Sequence, residues 1–276
     1  MEALPLFNYR NPDGRLSVHR KEVVVGSEGI TLSYIDLSGE GIPIVFLHGA
    51  SGCAVQWEAQ AERLAGLHRV LCVDMRGHGK SDKPATSYKT GDFMDDMVSW
   101  LETMGLHEFY LVGHSFGGYI ATLLAVRFPE RVKKLVLMNT TGNLRHLGVL
   151  PRTAASLPAP VLNAVHRAMP VLVSAPPHVT RLFMVQALAE WECWELYPRI
   201  DCPTLVTTGK WDAVAPPAHA MRIASSLKDA RLEVFLFSRH MTMLERARPV
   251  AASLEAFFSG GGRKPLKLRT RETVKS

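Results

Sequence analysis

Ser115 lies in the stretch "LVGHSFGGY", in which one glycine stands two residues before the serine and another two residues after it. The preceding "EFYLV" is typical of a strand and the following "FGGYIATLLAVRF" of a helix, with Pro129 where that helix should end. A sharp strand-to-helix turn projects a serine hydroxyl above the edge of a sheet. The context therefore predicts a nucleophile, the alternative being a serine that only caps the helix.

A nucleophilic serine needs hydrogen-bond donors for the oxyanion that forms when it attacks a carbonyl group. The backbone N–H of Phe116, at the predicted start of the helix, is one candidate donor. The second donor should come from a loop after another strand, and "IVFLHGAS" supplies that loop. Ala50, directly after His48 and Gly49, is the candidate residue, and the donor is again a main-chain group.

Eight short apolar or β-branched runs predict strands: "KEVVVG", "ITLSYIDL", "IPIVFLHG", "RVLCVDM", "FYLVGHS", "VKKLVLMN", "PTLVTTG" and "RLEVFLF". Helix-length segments separate most of them from the third run onward: 54–66, 90–105, 115–128, 216–226 and 245–258. This alternation indicates an α/β fold with a mostly parallel eight-stranded sheet and helices on both faces. The first two runs, joined by "GSEG", predict an antiparallel hairpin.

Residues 142–198 break the alternation, with seven prolines, only seven charged residues and no clear strand. A structureless loop of that length would be unusual in a compact domain. We therefore expect a helical cap or lid inserted into a core domain made of residues 1–141 and 199–258. Residues 259–276, which begin "SGGG" and are rich in lysine and arginine, are predicted to be a basic, flexible tail.

Several segments between residues 20 and 258 together resemble the α/β-hydrolase superfamily. In chain order they are "IVFLHGAS", "DMRGHGKSDKP", "LVGHSFGGY" and "GKWDAVAPP", followed by a late histidine. The resemblance implies a cap inserted after the sixth strand, which is where 142–198 falls. It also implies that the nucleophile, the acid and the histidine occur in that order along the chain. The combination is specific for the fold and says little about the substrate.

His240 is the predicted base, because it follows the apolar run "RLEVFLF" and so reaches the same strand-end edge as Ser115. The other late histidine, His219, lies in a predicted helix that would carry it to the outside of the sheet. Relatives usually have glycine before this histidine, whereas this chain has Arg239. The arginine could alter the loop or place a cation near the base.

Asp212 is the predicted acid, because it directly follows the run "TLVTTG" and matches the position of the acid in the family. The alternative is a turn aspartate that caps the next helix. Some members carry the acid after the sixth strand, where this chain has Asn139. Asp201 precedes its strand and Asp229 lies in a loop before the last one.

Bulk composition excludes several classes of function. The hydrophobic share is 47%, the charged share is 21%, and the net charge of +6 comes mostly from the tail, so we expect no nucleic-acid partner. No window approaches 18 uninterrupted apolar residues and no leader pattern begins the chain, so we expect a cytoplasmic protein without a transmembrane segment. The four cysteines and the histidines show no metal-ligand spacing, and we expect no metal and no cofactor.

Apolar residues of the predicted cap are candidates for the substrate pocket. They are Leu147, Leu150, Phe183, Met184, Trp191 and Trp194. The low charge of this segment fits an apolar acyl or alcohol pocket, but it equally fits helices that need an apolar face to pack on the sheet domain.

These features predict a serine hydrolase that cleaves a small or medium apolar carboxylic ester, lactone or thioester through an acyl-enzyme. A carbon–carbon bond hydrolase, a perhydrolase or a lyase would keep the same triad. Carbon–carbon bond hydrolases of this fold commonly carry a "GSGPG"-like loop where this chain has "GASGC", and dehalogenases and epoxide hydrolases have aspartate in place of Ser115. A slow-turnover sensor of a small molecule is a further alternative. The sequence leaves the oligomeric state open.

Overall fold

The computed structural model describes residues 13–148, 153, 156–169 and 173–260. Eight strands form one sheet in the order β1-β2-β4-β3-β5-β6-β7-β8. The strands are β1 (Arg20–Val25), β2 (Ile30–Leu37), β3 (Gly39–Leu47), β4 (Gly66–Val73), β5 (Phe109–His114), β6 (Val132–Met138), β7 (Thr204–Gly209) and β8 (Ala230–Phe235). The pairs β1–β2 and β2–β4 are antiparallel, and the remaining pairs are parallel. The predicted fold class, including the N-terminal hairpin, is confirmed.

The α-helices that we number are α1 (Glu58–Leu64), α2 (Thr90–Thr103), α3 (Phe116–Arg127), α4 (Ala159–Ala168), α5 (Pro177–Val185), α6 (Ala187–Glu190), α7 (Pro217–Ser226), α8 (Thr242–Glu245) and α9 (Ala247–Phe258). Short 3-10 helices span Ser17–His19, Ala54–Trp57, Arg145–Leu147 and Trp194–Arg199. Helices α1, α8 and α9 pack on one face of the sheet, and α2, α3 and α7 pack on the other.

The central strands are apolar throughout because both of their faces are covered. In β3, Val45 and Leu47 belong to the apolar cluster on the α3 side, whereas Ile44 and Phe46 belong to the cluster on the α1 side. All four side chains are 0% exposed. Alternate residues of one strand therefore bury against different helices, which gives a parallel sheet its continuous apolar runs.

Residues 142–198, which we call the inserted segment, leave the sheet after β6 and return to it at β7. The described part of this segment contributes no strand to the eight-stranded sheet, and it contains α4, α5 and α6. Aromatic contacts join it to α3: Trp191 stacks on Tyr119 with ring centroids 5.4 Å apart, and Phe183 meets Phe116 edge-on at 4.7 Å. These contacts hold the segment over the carboxyl end of β5.

Two glycines let the turn around Ser115 form. A Cβ atom at Gly113 would lie 2.3 Å from the carbonyl oxygen of Gly117, and one at Gly117 would lie 2.4 Å from the carbonyl oxygen of His48. Helix α3 therefore begins with its backbone directly against the ends of β3 and β5. Main-chain atoms cannot move aside as a flexible side chain can, so even a methyl group is excluded.

We expect Gly117→Ala to destabilise the fold by about 1–3 kcal/mol, because the added methyl group overlaps main-chain oxygen atoms. The control is Gly91→Ala in α2, where nothing lies within 4 Å of the added Cβ. There the substitution should stabilise by roughly 0.5–1 kcal/mol through helix propensity. Urea unfolding measures both changes, and equal effects would contradict this account of the turn.

Candidate active site

Ser115 occupies the junction between β5 and α3. Its φ of 50° and ψ of −117° lie outside the regions that serine ordinarily adopts, and its N–H donates to the carbonyl oxygen of Met138 on β6 at 2.9 Å. The residue is 6% exposed and lies on the wall of a cavity. Strand, strained serine and helix follow each other as the sequence pattern predicts for a nucleophile.

His240 lies between Ser115 and Asp212. Its Nε2 is 3.1 Å from the hydroxyl oxygen of Ser115, and its Nδ1 is 2.9 Å and 3.1 Å from the two carboxylate oxygens of Asp212. The first contact makes Nε2 a hydrogen-bond acceptor for the serine hydroxyl, and the second makes Nδ1 the protonated nitrogen. The three residues that the sequence singled out thus form one continuous line of hydrogen bonds.

Asp212 is buried, and its carboxylate accepts several hydrogen bonds. One carboxylate oxygen accepts the N–H groups of Val214 and Ala215 at 2.8 Å and 2.9 Å, and the other accepts the side-chain amide of Asn139 at 2.8 Å. Burial raises the pKa of Asp212, but hydrogen bonds from His240, Ala215 and Asn139 outweigh it and hold that pKa below its ordinary value. The carboxylate is therefore ionised and able to stabilise a cation on the neighbouring imidazole.

Two side chains hold the main chain that carries His240. The amide of Asn139 donates to the carbonyl oxygen of Arg239 at 3.1 Å, in addition to its bond with Asp212. His114 donates from Nε2 to the carbonyl oxygen of His240 itself at 2.9 Å. Asn139 follows β6 and His114 ends β5. Side chains at the ends of two neighbouring strands therefore donate hydrogen bonds to two successive carbonyl groups of the loop. Asn139 has a φ of 48°, a left-handed conformation that asparagine tolerates better than most residues.

The Arg239 side chain points away from this line of hydrogen bonds. It is 78% exposed, and its Nε lies 3.2 Å from a carboxylate oxygen of Glu245. The main-chain N–H of Arg239 also donates to Glu245, so the acidic residue secures the loop from outside. The arginine that replaces the family's usual glycine therefore places its charge in solvent, paired with a carboxylate.

The backbone groups proposed for an oxyanion hole are not engaged elsewhere. Within the described ranges, the N–H groups of Ala50 and Phe116 donate no hydrogen bond, and Ala50 and Ser115 line the same cavity. In contrast, the carbonyl oxygen of Gly49 accepts bonds from His48 Nδ1 at 2.7 Å and from the N–H of Gly52 at 3.0 Å. The loop thus uses the Gly49 carbonyl within itself and leaves the Ala50 N–H beside the cavity without a partner among the described residues.

A cavity of about 320 Å³ opens beside Ser115 and His240. Three of the predicted pocket residues, Leu147, Met184 and Trp191, line it. Four apolar residues that the sequence analysis did not select also line it; they are Leu144, Leu188, Val214 and Met241. The polar lining consists of Ser51, Gln56, His114, Ser115 and His240. No lysine, arginine, aspartate or glutamate belongs to the lining that the structure describes.

The other predicted pocket residues lie elsewhere. Phe183 is 1% exposed, packs among aromatic rings and does not line the cavity. Trp194 lies against α7, where the guanidinium of Arg222 stands 3.9 Å from the centre of its ring and His219 meets it edge-on at 5.5 Å. Leu150 lies outside the described residues.

The other late histidine and a buried aspartate make structural hydrogen bonds. His219 sits in α7 with its Nδ1 2.7 Å from the hydroxyl oxygen of Thr141, away from Ser115. Buried Asp74 accepts hydrogen bonds from Arg20 at 2.6 Å and from the N–H of Ala54 at 2.6 Å.

The described residues contain no group of three or more His, Cys, Asp or Glu side chains that could hold a metal ion. None of the described helices is long and apolar enough to cross a membrane.

Comparison with known proteins assigns the family. A family profile for the alpha/beta hydrolase fold matches residues 42–168. The chain is also 30% identical over 257 residues to 2-hydroxymuconate semialdehyde hydrolase from Pseudomonas sp. (strain CF600), covering 80% of this chain and 88% of that protein. The chain belongs to the α/β-hydrolase superfamily. It is an enzyme of a hydrolase family, as the sequence motifs indicated.

Solved structures of other α/β hydrolases superpose over most of the chain. The esterase EaEST of Exiguobacterium antarcticum is 25% identical with a TM-score of 0.76, over 86% of this chain and 98% of that chain. Est816, an N-acyl homoserine lactone degrading enzyme, is 29% identical with a TM-score of 0.73, over 84% and 99% respectively. The similarity in both cases extends well beyond the region matched by the family profile.

His114 should make folding stability depend on pH. Burial lowers its pKa from 6.5 to about 3. Between these values the unfolded chain binds a proton that the folded protein excludes, so stability falls as the pH drops below 6.5. His114→Gln keeps an N–H donor without titrating. It should reduce this loss by an amount that approaches about 1.4 kcal/mol per pH unit once the pH is well below 6.5. Urea unfolding between pH 6.5 and pH 5 measures it, with the exposed His107→Gln as control for removing a histidine.

Asn139→Gly should slow the labelling of Ser115 by a fluorophosphonate by about tenfold to a hundredfold, because misplacing a reacting group by 1 Å costs about that much. Glycine suits the left-handed backbone at this position, so only the side-chain hydrogen bonds are lost. The matched control is Gln60→Ala, which removes another buried amide that donates to two carbonyl oxygens, those of Met243 at 2.9 Å and Ala247 at 3.3 Å. Equal labelling rates for the two variants would show that Asn139 does not position the base.

Proposed function

We propose that the protein is a serine hydrolase in which Ser115 is the nucleophile, His240 the general base and Asp212 the acid. The observation that carries the proposal is the line of hydrogen bonds from the Ser115 hydroxyl through His240 to Asp212, at 3.1 Å and 2.9 Å. A hydroxyl, an imidazole and a buried carboxylate in this arrangement can remove a proton from serine as it attacks a carbonyl carbon.

The proposed reaction has two stages, acylation of Ser115 and hydrolysis of the acyl-serine. The Ser115 oxygen bonds to the carbonyl carbon while His240 takes its proton, and the carbonyl electron pair becomes an oxyanion. Collapse of this intermediate expels the alcohol, which receives the proton from His240, and leaves an acyl-serine. Water then attacks the acyl group while His240 takes a proton from it. When this second intermediate collapses, His240 gives the proton to the Ser115 oxygen, and the carboxylic acid product and free Ser115 are released. Asp212 stabilises the imidazolium each time it forms.

The N–H groups of Ala50 and Phe116 are the proposed donors to the oxyanion. Phe116 is the first residue of α3, so its N–H has no partner within the helix and lies at the positive end of the helix dipole. Ala50 contributes from the loop after β3 on the same cavity wall. Such donors stabilise charge only as it develops, and losing one typically slows catalysis by about 10²–10³.

An uncharged, apolar ester of small or medium size fits the cavity best. Its volume of about 320 Å³ is at the lower end of ligand sites, and its described lining is apolar apart from a few neutral polar groups. A lactone or thioester has the same requirements, and the similarity to the esterase EaEST and to Est816, which degrades an N-acyl homoserine lactone, supports this class. We further propose that the inserted segment acts as the cap, since most of the apolar lining comes from it.

A carbon–carbon bond hydrolase is the second candidate. The observation in its favour is the 30% identity to 2-hydroxymuconate semialdehyde hydrolase. A muconate semialdehyde carries a carboxylate, and burying a carboxylate requires a cation or several N–H donors. Among its described residues, the cavity wall offers neither a lysine nor an arginine, which favours the neutral ester.

Ser115→Ala should abolish both ester hydrolysis and fluorophosphonate labelling, because the alanine cannot form the acyl bond. The wild type should hydrolyse p-nitrophenyl esters with a clear optimum in acyl length, and it should turn over a carboxylate-bearing diketone at least a hundredfold more slowly. Steady-state kinetics on both substrate classes test this. A preference for the diketone would replace the ester proposal with the carbon–carbon one. Labelling of the alanine variant, or acylation of the wild type that stops after one equivalent, would contradict an esterase with Ser115 as nucleophile.

A further inference from the structure

Ser174 joins the inserted segment to the loop that carries Ala50. It lies between α4 and α5 and is 6% exposed. Its N–H donates to the carbonyl oxygen of Ser51 at 2.7 Å, and its hydroxyl donates to the carbonyl oxygen of Gly52. The same hydroxyl oxygen accepts the N–H of Gly79 at 3.0 Å. Ser174 thus donates hydrogen bonds to the carbonyl groups of Ser51 and Gly52, the two residues that follow Ala50.

A side chain from the loop after β4 holds the same loop as well. His78 accepts the N–H of Ser51 at its Nε2, at 3.2 Å, and donates from Nδ1 to the carbonyl oxygen of Arg76 at 2.8 Å. Burial lowers the pKa of His78 to about 3, so the ring stays neutral and keeps the lone pair that accepts this bond. Ser51 itself has a φ of 60°, a left-handed conformation that needs support from its surroundings.

The Ala50 N–H belongs to the same peptide group as the Gly49 carbonyl, which accepts hydrogen bonds from His48 Nδ1 and from the N–H of Gly52. Its direction therefore depends on where the following peptides hold Gly52. His78 binds the N–H of Ser51, while Ser174 binds the carbonyl groups of Ser51 and Gly52. These hydrogen bonds fix the orientation of the peptide groups on both sides of Gly52. Without the Ser174 hydroxyl, the Gly52 carbonyl and the Gly79 N–H would both lose a partner in a buried place. Buried polar groups without partners are costly, and the loop would shift to recover hydrogen bonds.

We propose that Ser174 is a positioning residue for the oxyanion hole, supplied by the inserted segment. The inference rests on the proposed function, because it gives a role to an N–H group that matters only if an oxyanion forms. Helix α5 begins at Pro177, shortly after Ser174, and carries the cavity residue Met184. The segment that contacts the substrate is therefore also the segment that aligns one of the two oxyanion donors.

The test compares Ser174→Ala and Ser174→Cys with a matched control in the same segment. Thr180 is 5% exposed and donates from its hydroxyl to the carbonyl oxygen of Ala175 at 3.3 Å, so Thr180→Val also removes a buried hydroxyl that donates to the main chain. A thiol is a weak donor, so the cysteine variant should fall between serine and alanine. Thermal unfolding checks that each variant folds, and the cysteine variant keeps the test available if the alanine variant does not.

Two readouts separate positioning from stability. The first is the kcat and KM for a p-nitrophenyl ester. The second is the inhibition constant of a trifluoromethyl ketone of matched chain length. Ser115 adds to the ketone carbonyl, its proton passes to His240, and the carbonyl electron pair becomes an oxyanion that the two N–H groups hold. We expect Ser174→Ala to lower kcat about tenfold or more with KM changed less than twofold, because oxyanion donors act on the transition state.

Affinity for the ketone should fall by about the same factor as kcat, with Ser174→Cys intermediate and Thr180→Val like the wild type. Unchanged ketone affinity in Ser174→Ala, or an equal loss in Thr180→Val, would overturn the role of Ser174. A wild type that neither hydrolyses the ester nor binds the ketone would overturn the proposed function itself, and this role with it. The two failures are therefore distinct.

Discussion

The site depends on the close backbone contact between the start of α3 and the ends of β3 and β5. Gly117 lies so near the carbonyl oxygens of Leu47 and His48 that a Cβ atom would stand about 2.5 Å from them. This contact brings the strained turn at Ser115 beside the loop that carries Ala50. Because only main-chain atoms meet there, rigid elements set the distance between Ser115, the proposed nucleophile, and the N–H of Ala50, the proposed oxyanion donor. Rigid positioning of this kind is the condition for a preorganised site.

Around this contact, neutral buried histidines serve as hydrogen-bonding parts of the scaffold. Burial lowers the pKa of His48, His78 and His114, so each ring keeps one donor and one acceptor nitrogen. His48 and His78 tie the loop after β3 to the loop after β4, while His114 holds the main chain of His240. The ionised group at the centre is Asp212, and its carboxylate contacts His240, the imidazole that becomes positive in the proposed mechanism. Because these three histidines are neutral, they do not compete with His240 for the charge of Asp212.

Much of the fold could be predicted because its signals are local. Apolar runs bounded by helix-length segments indicated all eight strands, and a serine, an aspartate and a histidine that each follow a strand were predicted to meet at one edge of the sheet. The positioning residues carried no such signal. Asn139 was considered only as the residue that stands at an alternative position for the acid, and no role in positioning the site was predicted for His114 or Ser174. Their roles come from carbonyl groups far away in sequence, at Arg239, His240 and Gly52, and no local pattern predicts such partners.

By itself the sequence determined the fold class, the superfamily and which residues end which strands, since periodicity, glycine spacing and chain order are properties of neighbouring residues. Only the tertiary structure decided which way side chains of suitable type point. Apolar character alone could not separate Met184, which lines the cavity, from its neighbour Phe183 on the same helix, which packs among aromatic rings and does not line it. It equally could not show that Arg239 turns to Glu245 in solvent. Orientation depends on packing between distant elements, and the sequence records the residues but not those contacts.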